Sequence, residues 1–183
     1  MVWRMTTRLP AAHDLTRLLG LARTGLDGEG NLIREAWDAL VDLPGGKRIF
    51  SELVGRTAAY TGSIGARVEE LREGYAATSM KDRPKVRNHL RSVHAVALAN
   101  LIELTGNIAV FYSMPADARF IVAGMNIDYV KKARGTIRGT CMCPTIESNA
   151  RTEYAVLVSL KDESGEEVAK GILRTLVGPK SKS

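Results

Sequence analysis

Residue types that would indicate metal or nucleic-acid binding are scarce in this chain. Its 183 residues include two cysteines and three histidines, and aromatic residues make up 5% of the total. Tetrahedral zinc needs about four ligands, but no second Cys or His pair lies near Cys141 and Cys143. Nucleic-acid surfaces interleave basic residues with stacking aromatics. Despite a formal charge of +6, we therefore expect neither a metal site nor a nucleic-acid partner.

Long apolar runs and a secretory leader are also missing. A transmembrane helix needs about 18 to 20 apolar residues, and the longest apolar stretches are interrupted by His94, Asn100 and Glu103. No apolar run follows Arg4 and Arg8, as one would in a signal peptide. Two cysteines that stay reduced also favour the cytoplasm, because disulfides form mainly in oxidising compartments. We expect a cytoplasmic protein with no membrane span.

Apolar residues at helical spacing predict several helices. Segments 13–24 and 31–43 show this spacing, and a third helical stretch follows at residues 47–60. The most apolar helix is expected from Ser92 to about Tyr112, with Ser92 as its N-cap and Pro115 just beyond its end.

Alternating apolar residues predict six strands around that helix. Residues 64–80 are typical of two strands joined by a turn at Glu73-Gly74, and four more strands follow the helix. The last two form a hairpin at Glu163-Ser164-Gly165. An α+β fold results, in which an antiparallel sheet wraps one central helix. We assign residues 1–44 to an N-terminal helical extension and residues 45–179 to the wrapped domain.

The central helix carries one narrow polar stripe. Asn100, Glu103 and Asn107 lie three and four residues apart, so they share one face of an otherwise apolar helix. A buried carboxylate needs water, a partner or a cavity, because unpaired burial costs several kcal/mol. Two interpretations stay open for Glu103: a salt bridge to a nearby Arg, or a functional site.

His94 and Glu103 are nine residues apart. At about 100° and 1.5 Å per residue, they face opposite sides of the helix, roughly 13 Å apart along its axis. A site that uses both must therefore be built by two chains, which predicts a homodimer. With Ser92 as the cap, the backbone N–H groups of His94 and Ala95 would face a ligand at the positive end of the helix, where they can stabilise an oxyanion.

Basic residues cluster only at residues 131–138 and in the C-terminal tail. The side chains at 131, 132, 134 and 138 either meet phosphate groups or form a solvated face. Tyr129, just before them, is expected to lie in the core.

The combination of Asn88, "SVHA" at 92–95, Glu103 and "MNIDYVKKARG" at 125–135 resembles hotdog-fold acyl-CoA thioesterases, and most closely the phenylacetate-pathway (PaaI-like) group and its relatives. The resemblance covers about residues 48–178. It implies the hotdog fold, a homodimer or a dimer of dimers with sites at the subunit interface, acyl-CoA as the substrate, and no cofactor.

The same resemblance implies roles for single residues. Glu103 would be the general base or the nucleophile, Asn88 would orient water or the thioester, and the Ala95 N–H would hold the oxyanion. His94 would either hold its loop or take part in the chemistry. The expected substrate-binding residues are Asn126, Lys131, Lys132, Arg134 and Arg138. We expect hydrolysis of a medium or long acyl-CoA; the alternatives are a non-catalytic acyl-CoA or lipid-binding protein and a hydratase.

Overall fold

The structure, a computed structural model, describes residues 30–180. The predicted helical segment at residues 13–24 lies outside the described residues. Within them, the order is helices, two strands, one long helix and four strands, as predicted. The elements are α1 (Leu32–Leu40), α2 (Gly46–Thr57), α3 (Ala59–Gly62), β1 (Arg67–Arg72), β2 (Tyr75–Met80), a 3-10 turn (Pro84–Val86), α4 (Ala95–Ser113), β3 (Ala118–Tyr129), β4 (Ile137–Met142), β5 (Thr152–Lys161) and β6 (Glu167–Pro179).

The six strands form one antiparallel sheet in the order β1-β2-β4-β5-β6-β3. The predicted turn between β1 and β2 is present, and Gly74 supplies its positive φ of 71°. The predicted hairpin joins β5 to β6. Strand β3 spans twelve residues at one end of the sheet and pairs only with β6 among the described strands.

The sheet wraps around α4, the arrangement of the hotdog fold. Thr105 meets β2 through a 2.7 Å hydroxyl contact with Thr78. On another side of the helix, a Cβ at Gly106 would lie 2.3 Å from Leu173 of β6, so only glycine allows this close approach. The inner faces of helix and sheet are fully buried, with Leu101, Ile102 and Leu173 all at 0% exposure.

The central helix, 19 residues long, also has the length of a membrane-spanning segment, and its mean hydropathy over an 18-residue window is 1.4. By length and composition alone this helix could cross a membrane, although Asn100 and Glu103 interrupt its apolar run. Of that 18-residue window, 61% is nevertheless buried inside the chain, as expected for the core helix of a wrapped fold.

The helices before the sheet pack against α4. Asn31 caps α1 by accepting from the Arg34 N–H, and its Nδ2 donates to the carbonyls of Phe111 and Met114 at 2.6 and 3.1 Å. The Trp37 ring on α1 meets Phe50 on α2 edge to face, with centroids 5.1 Å apart. These contacts tie the beginning of the described chain to the far end of the central helix.

Candidate functional site

The loop before the central helix is organised by one side-chain oxygen. Asn88 Oδ1 accepts from the Leu90 N–H at 3.0 Å, the Ser92 N–H at 3.2 Å and the Ser92 hydroxyl at 3.2 Å. Between them, Arg91 has a φ of 55°, an uncommon backbone conformation for a residue other than glycine. The Asn88 amide Nδ2 donates to no group in residues 30–180, so it can still bind a ligand.

The helix starts later than predicted, and Ser92 is not its cap. Ser92 is buried, with its hydroxyl held by Asn88. The N-cap is His94, which has extended backbone angles and accepts from the Val96 N–H through Nδ1 at 3.0 Å. The expectation that the His94 N–H is free is also wrong, because it donates to the Val86 carbonyl at 2.8 Å.

The start of the helix still presents one unpaired donor. The Ala95 N–H has no acceptor among the described residues, and it lies at the positive end of a 19-residue helix. Because His94 Nδ1 accepts a hydrogen bond, its proton lies on Nε2 in the neutral ring. An exposed His94 therefore offers a second donor beside Ala95.

Glu103 has no partner within residues 30–180. Its side chain is half-buried, and neither an ion pair nor a hydrogen bond engages it there. The salt bridge to a nearby Arg, one of the two open interpretations, is thus not found in the described part of the chain. Glu103 precedes Gly106 by three residues, so the two share one side of the helix. Gly106 faces β5 and β6, and Glu103 therefore points toward the β6–β3 end of the sheet.

Ala95 and Glu103 are too far apart to act on the same atom within one chain. Eight residues separate them, which is about 12 Å along the helix axis. The half-turn argument from the sequence counted His94 as helical, whereas the helix begins at Ala95. The half-turn argument therefore does not apply, but the separation along the helix axis is sufficient to keep Ala95 and Glu103 apart within one chain.

The basic segment after β3 lies beside the start of the helix. The Val93 N–H donates to the Ala133 carbonyl at 2.9 Å. The Tyr129 hydroxyl donates to the Ala95 carbonyl at 3.2 Å. Lys132 and Arg134 are exposed, and no ion pair engages either one in the described structure.

Other predicted binding residues are placed differently. Lys131 contacts Asp162 at 2.7 Å and also pairs with Glu166, and these two carboxylates raise the pKa of Lys131. Asn126 opposes the exposed Ile172 on the outer face of the sheet, and Arg138 projects from the same outer face of β4. The structure therefore does not bring these three side chains to the start of the helix.

Tyr129 is 49% exposed, so the prediction that it belongs to the core is wrong. It is the last residue of β3, and its hydroxyl donates to the carbonyl of the first helical residue. Such a contact cannot be predicted from spacing, because it joins residues 34 positions apart.

Cys141 is a buried thiol and Cys143 is a half-buried one. Burial raises the pKa of Cys141 to about 12 and that of Cys143 to about 11. No group of three or more His, Cys, Asp or Glu side chains in residues 30–180 is arranged to hold a metal ion. The cysteines accordingly have a packing role on and just after β4.

The surroundings of Asn100, near the site, were not predicted from the sequence. Asn100, 4% exposed, lines a cavity of about 200 Å³ beside His94. Its Oδ1 is buried without a hydrogen-bond partner. The sequence signal was the asparagine itself on an apolar helix, but only the folded chain shows the cavity.

Residues 46–177 match the model of DUF4442, a domain of unknown function. No curated protein matches the sequence at a significant level. The family match begins at α2 and ends in β6, so it covers the complete sheet and the central helix.

Several solved structures share the fold. A structural-genomics protein, APC5556, is 26% identical, with a TM-score of 0.67 over 93% of this chain and 100% of its own. A protein of unknown function from Pseudomonas aeruginosa, described as a probable thioesterase, is 27% identical, with a TM-score of 0.66 over 75% of this chain and 97% of its own. A thioesterase from Haemophilus influenzae is 12% identical, with a TM-score of 0.63 over 74% and 92% of the two chains, and this likeness concerns the fold alone.

Proposed function

Because the chain belongs to the DUF4442 family and has the hotdog fold of structures called thioesterases, we propose that it is an acyl-CoA thioesterase. One observation carries the proposal. The fold presents an unpaired carboxylate, Glu103, and an unpaired helix N-terminal donor, the Ala95 N–H, about 12 Å apart on its central helix. Thioester hydrolysis needs both a base and an oxyanion donor.

In the proposed reaction, the thioester carbonyl oxygen accepts from the Ala95 N–H of one subunit. Glu103 of the other subunit removes a proton from water, and the resulting hydroxide adds to the carbonyl carbon. The tetrahedral oxyanion is stabilised at the helix N-terminus. When the intermediate collapses, the C–S bond breaks, CoA leaves as the thiol with the proton from Glu103, and the carboxylic acid is released.

A second route uses Glu103 as a nucleophile. The carboxylate would attack the thioester directly and form an anhydride, which water then hydrolyses. Both routes need the same position for Glu103. In either one, Asn88 Nδ2 orients water or the thioester, because its Oδ1 is already occupied by the loop. His94 contributes mainly by capping the helix that carries the oxyanion donor.

The proposed site is shared because the chain dimerises through β3. This strand is twelve residues long at the edge of the sheet, with no partner on one side among the described strands. Its exposed residues include Ile121 at 65% and Met125 at 38%. A long apolar edge strand is prone to pair with another chain. Pairing two copies of β3 would bring Glu103 of one subunit toward Ala95 of the other.

Substrate binding follows from the charges and the inner face of the sheet. Lys132 and Arg134 lie beside the helix start and carry no ion pair in the described structure, so we assign the CoA phosphates to them. A medium or long acyl chain is proposed because side chains on the inner face of β3, such as Phe120 and Ile127, are apolar. A cytoplasmic location accompanies this assignment, since the two cysteines are unpaired.

The test is a panel of acyl-CoA thioesters with a thiol reagent that detects released CoA. Wild-type protein should release CoA, and Glu103→Gln should reduce kcat by on the order of 100-fold or more. Glu147→Gln is the matched control, because Glu147 is exposed in the loop between β4 and β5. It should keep wild-type turnover.

The competing functions give different results in the same assay. Saturable acyl-CoA binding without CoA release would favour the non-catalytic binding protein. Loss of an enoyl-CoA absorbance without free thiol would favour the hydratase. If Glu103→Gln and Glu147→Gln both kept full turnover, Glu103 would have no role in the reaction.

A further inference from the structure

A cavity of about 570 Å³ lies between α2, α3 and the first strand, and Leu104 of the central helix forms part of its wall. This volume is within the range of about 300–1,000 Å³ that is usual for small-molecule sites. None of the residues to which the proposed reaction assigns a role lines this cavity. It is therefore a place where the chain could bind a second ligand.

The wall of this cavity carries more positive than negative charge. Its charged residues are Arg48, Arg56, Arg67 and Arg83, with Glu52 as the single carboxylate. Arg48 donates to Glu52 at 2.9 Å, and this hydrogen bond, together with the nearby charge of Arg56, lowers the pKa of Glu52. Neither an ion pair nor a hydrogen bond engages the other three arginines in the described structure. Three guanidinium charges thus share one cavity without a counter-charge of their own.

Arg83 is the most confined of these arginines. Its side chain is half-buried, whereas the other three arginines are exposed. Its guanidinium lies directly against Gly65, in the space that a Cβ would take at that position. Gly65 also lines the cavity, so the guanidinium is held at the cavity wall. It presents N–H donors there that meet no acceptor in residues 30–180.

A charged group that is partly buried without a partner costs free energy, and like charges in one cleft add to that cost. A cleft lined by charge of one sign also concentrates ions of the opposite sign. An anion that enters the cavity would relieve both costs. The arrangement at Arg83 is therefore explained best by an anionic ligand.

The residue types indicate which anion fits. Guanidinium groups bind phosphate through two parallel hydrogen bonds. A phosphate monoester carries about 1.5 to 2 negative charges at pH 7, which suits several guanidiniums better than a single charge does. The lining also includes Val54, Val68 and Leu104, and the last two are 1% and 7% exposed. Such side chains favour an organic part that is apolar or aromatic.

We propose that this cavity binds a phosphate monoester of a small apolar or aromatic group. Arg83 holds the phosphate together with Arg56 and Arg67, and the organic part contacts Val68 and Leu104. The site goes beyond the proposed function, because it uses none of the residues assigned to thioester hydrolysis and does not depend on that reaction.

Two probes of the same shape test the charge of the ligand. Phenyl phosphate and phenyl sulfate differ by one negative charge at about pH 7.5. Titration calorimetry of the full chain at about 0.15 M salt screens binding to scattered surface charges. Wild-type protein should bind phenyl phosphate with an affinity at least about tenfold higher than that for phenyl sulfate or for inorganic phosphate.

Variants of single arginines locate the binding. Arg83→Met should weaken the binding of phenyl phosphate by about tenfold or more, and Arg67→Met should weaken it in the same direction. The matched control is Arg151→Met, which removes the same charge from an exposed position outside this cavity and should keep wild-type affinity. Because Arg83 has no partner to lose in the described structure, Arg83→Met should keep the melting temperature of the ligand-free protein within about 2 °C.

Several results would overturn the inference. One is no saturable binding of phenyl phosphate to wild-type protein up to about 10 mM. Another is equal affinity for phenyl phosphate and phenyl sulfate, or an equal loss of affinity in Arg83→Met and Arg151→Met, since either would reduce the binding to a general charge effect.

Activity measurements separate this site from the proposed active site. Arg83→Met should keep the wild-type KM for acyl-CoA, and a rise of about tenfold would overturn the inference by making the cavity part of the substrate site. The calorimetry needs no turnover. Absence of CoA release would therefore refute the proposed enzyme, while specific binding of phenyl phosphate would still support this site.

Discussion

A hydrogen bond between two buried hydroxyls joins the central helix to the sheet, and its donor and acceptor can be assigned. Thr105 Oγ1 donates to the Leu101 carbonyl at 2.6 Å, which uses its only proton. Its 2.7 Å contact with Thr78 Oγ1 must then be donated by Thr78. Both residues are almost fully buried, at 0% and 1% exposure. Thr105→Val would therefore leave the Thr78 hydroxyl without an acceptor.

The expected loss of stability follows from this unpaired Thr78 donor. A buried donor without an acceptor costs about 1–3 kcal/mol, whereas replacing both partners by apolar groups of the same shape is nearly neutral. Threonine and valine have similar helix propensities, so backbone effects are small at position 105. We expect Thr105→Val to lower the free energy of unfolding by about 2 kcal/mol, and the double variant with Thr78→Val to lie within about 1 kcal/mol of wild type.

The assay is urea unfolding at one fixed protein concentration, since a dimer is proposed and the stability of an oligomer depends on concentration. A shift of about 2 kcal/mol corresponds to about 4–8 °C in melting temperature for a chain of this size. The double-mutant cycle should show a coupling of about 1–2 kcal/mol between Thr78 and Thr105. If the double variant lost the sum of the two single losses, the assigned hydrogen bond would not hold the helix.

Two further predictions concern ionisable groups. With pKa values of about 12 and about 11, Cys141 and Cys143 stay neutral at pH 8, so iodoacetamide should alkylate both far more slowly in the native protein than after unfolding; equally rapid modification of native and unfolded protein, followed by mass spectrometry, would contradict these raised pKa values. The hydrogen bond from Lys131 is the largest of the interactions that lower the pKa of Asp162 from 3.8 to about 2. A depressed carboxyl pKa contributes stability above pH 3.8 that is lost as the pH falls toward 2. In Lys131→Met the pKa of Asp162, followed by NMR, should rise, and an unchanged value would mean that Ser164 and the backbone set it alone.

The sequence predicts the fold well because the fold depends on local patterns. Apolar spacing identifies the long helix, and alternation identifies the strands that wrap it, including the turn at Gly74. The N-cap was placed wrongly, because Ser92 and His94 can both accept an N–H. The choice between them depends on Asn88, whose oxygen engages Ser92 through folding of the loop.

The candidate site could be predicted only in part, for a similar reason. Glu103 is visible in the sequence as a carboxylate in an apolar helix. The ion pairs of Lys131 cannot be predicted from the sequence, since its partners Asp162 and Glu166 lie more than 30 residues farther along the chain. The unpaired oxygen of Asn100 likewise depends on the Tyr60 carbonyl of α3, whose position relative to the helix is set by tertiary packing.

The central claim is that two subunits build each site, with Glu103 from one and Asn88 with Ala95 from the other. Complementation between two inactive variants, Glu103→Gln and Asn88→Ala, tests it most directly. In mixed dimers, one site carries both lesions and the other carries none. Random mixing of equal amounts makes half of the dimers mixed, so about a quarter of wild-type turnover should return. If the mixture stays as inactive as its components while subunit exchange is complete, the shared site is contradicted.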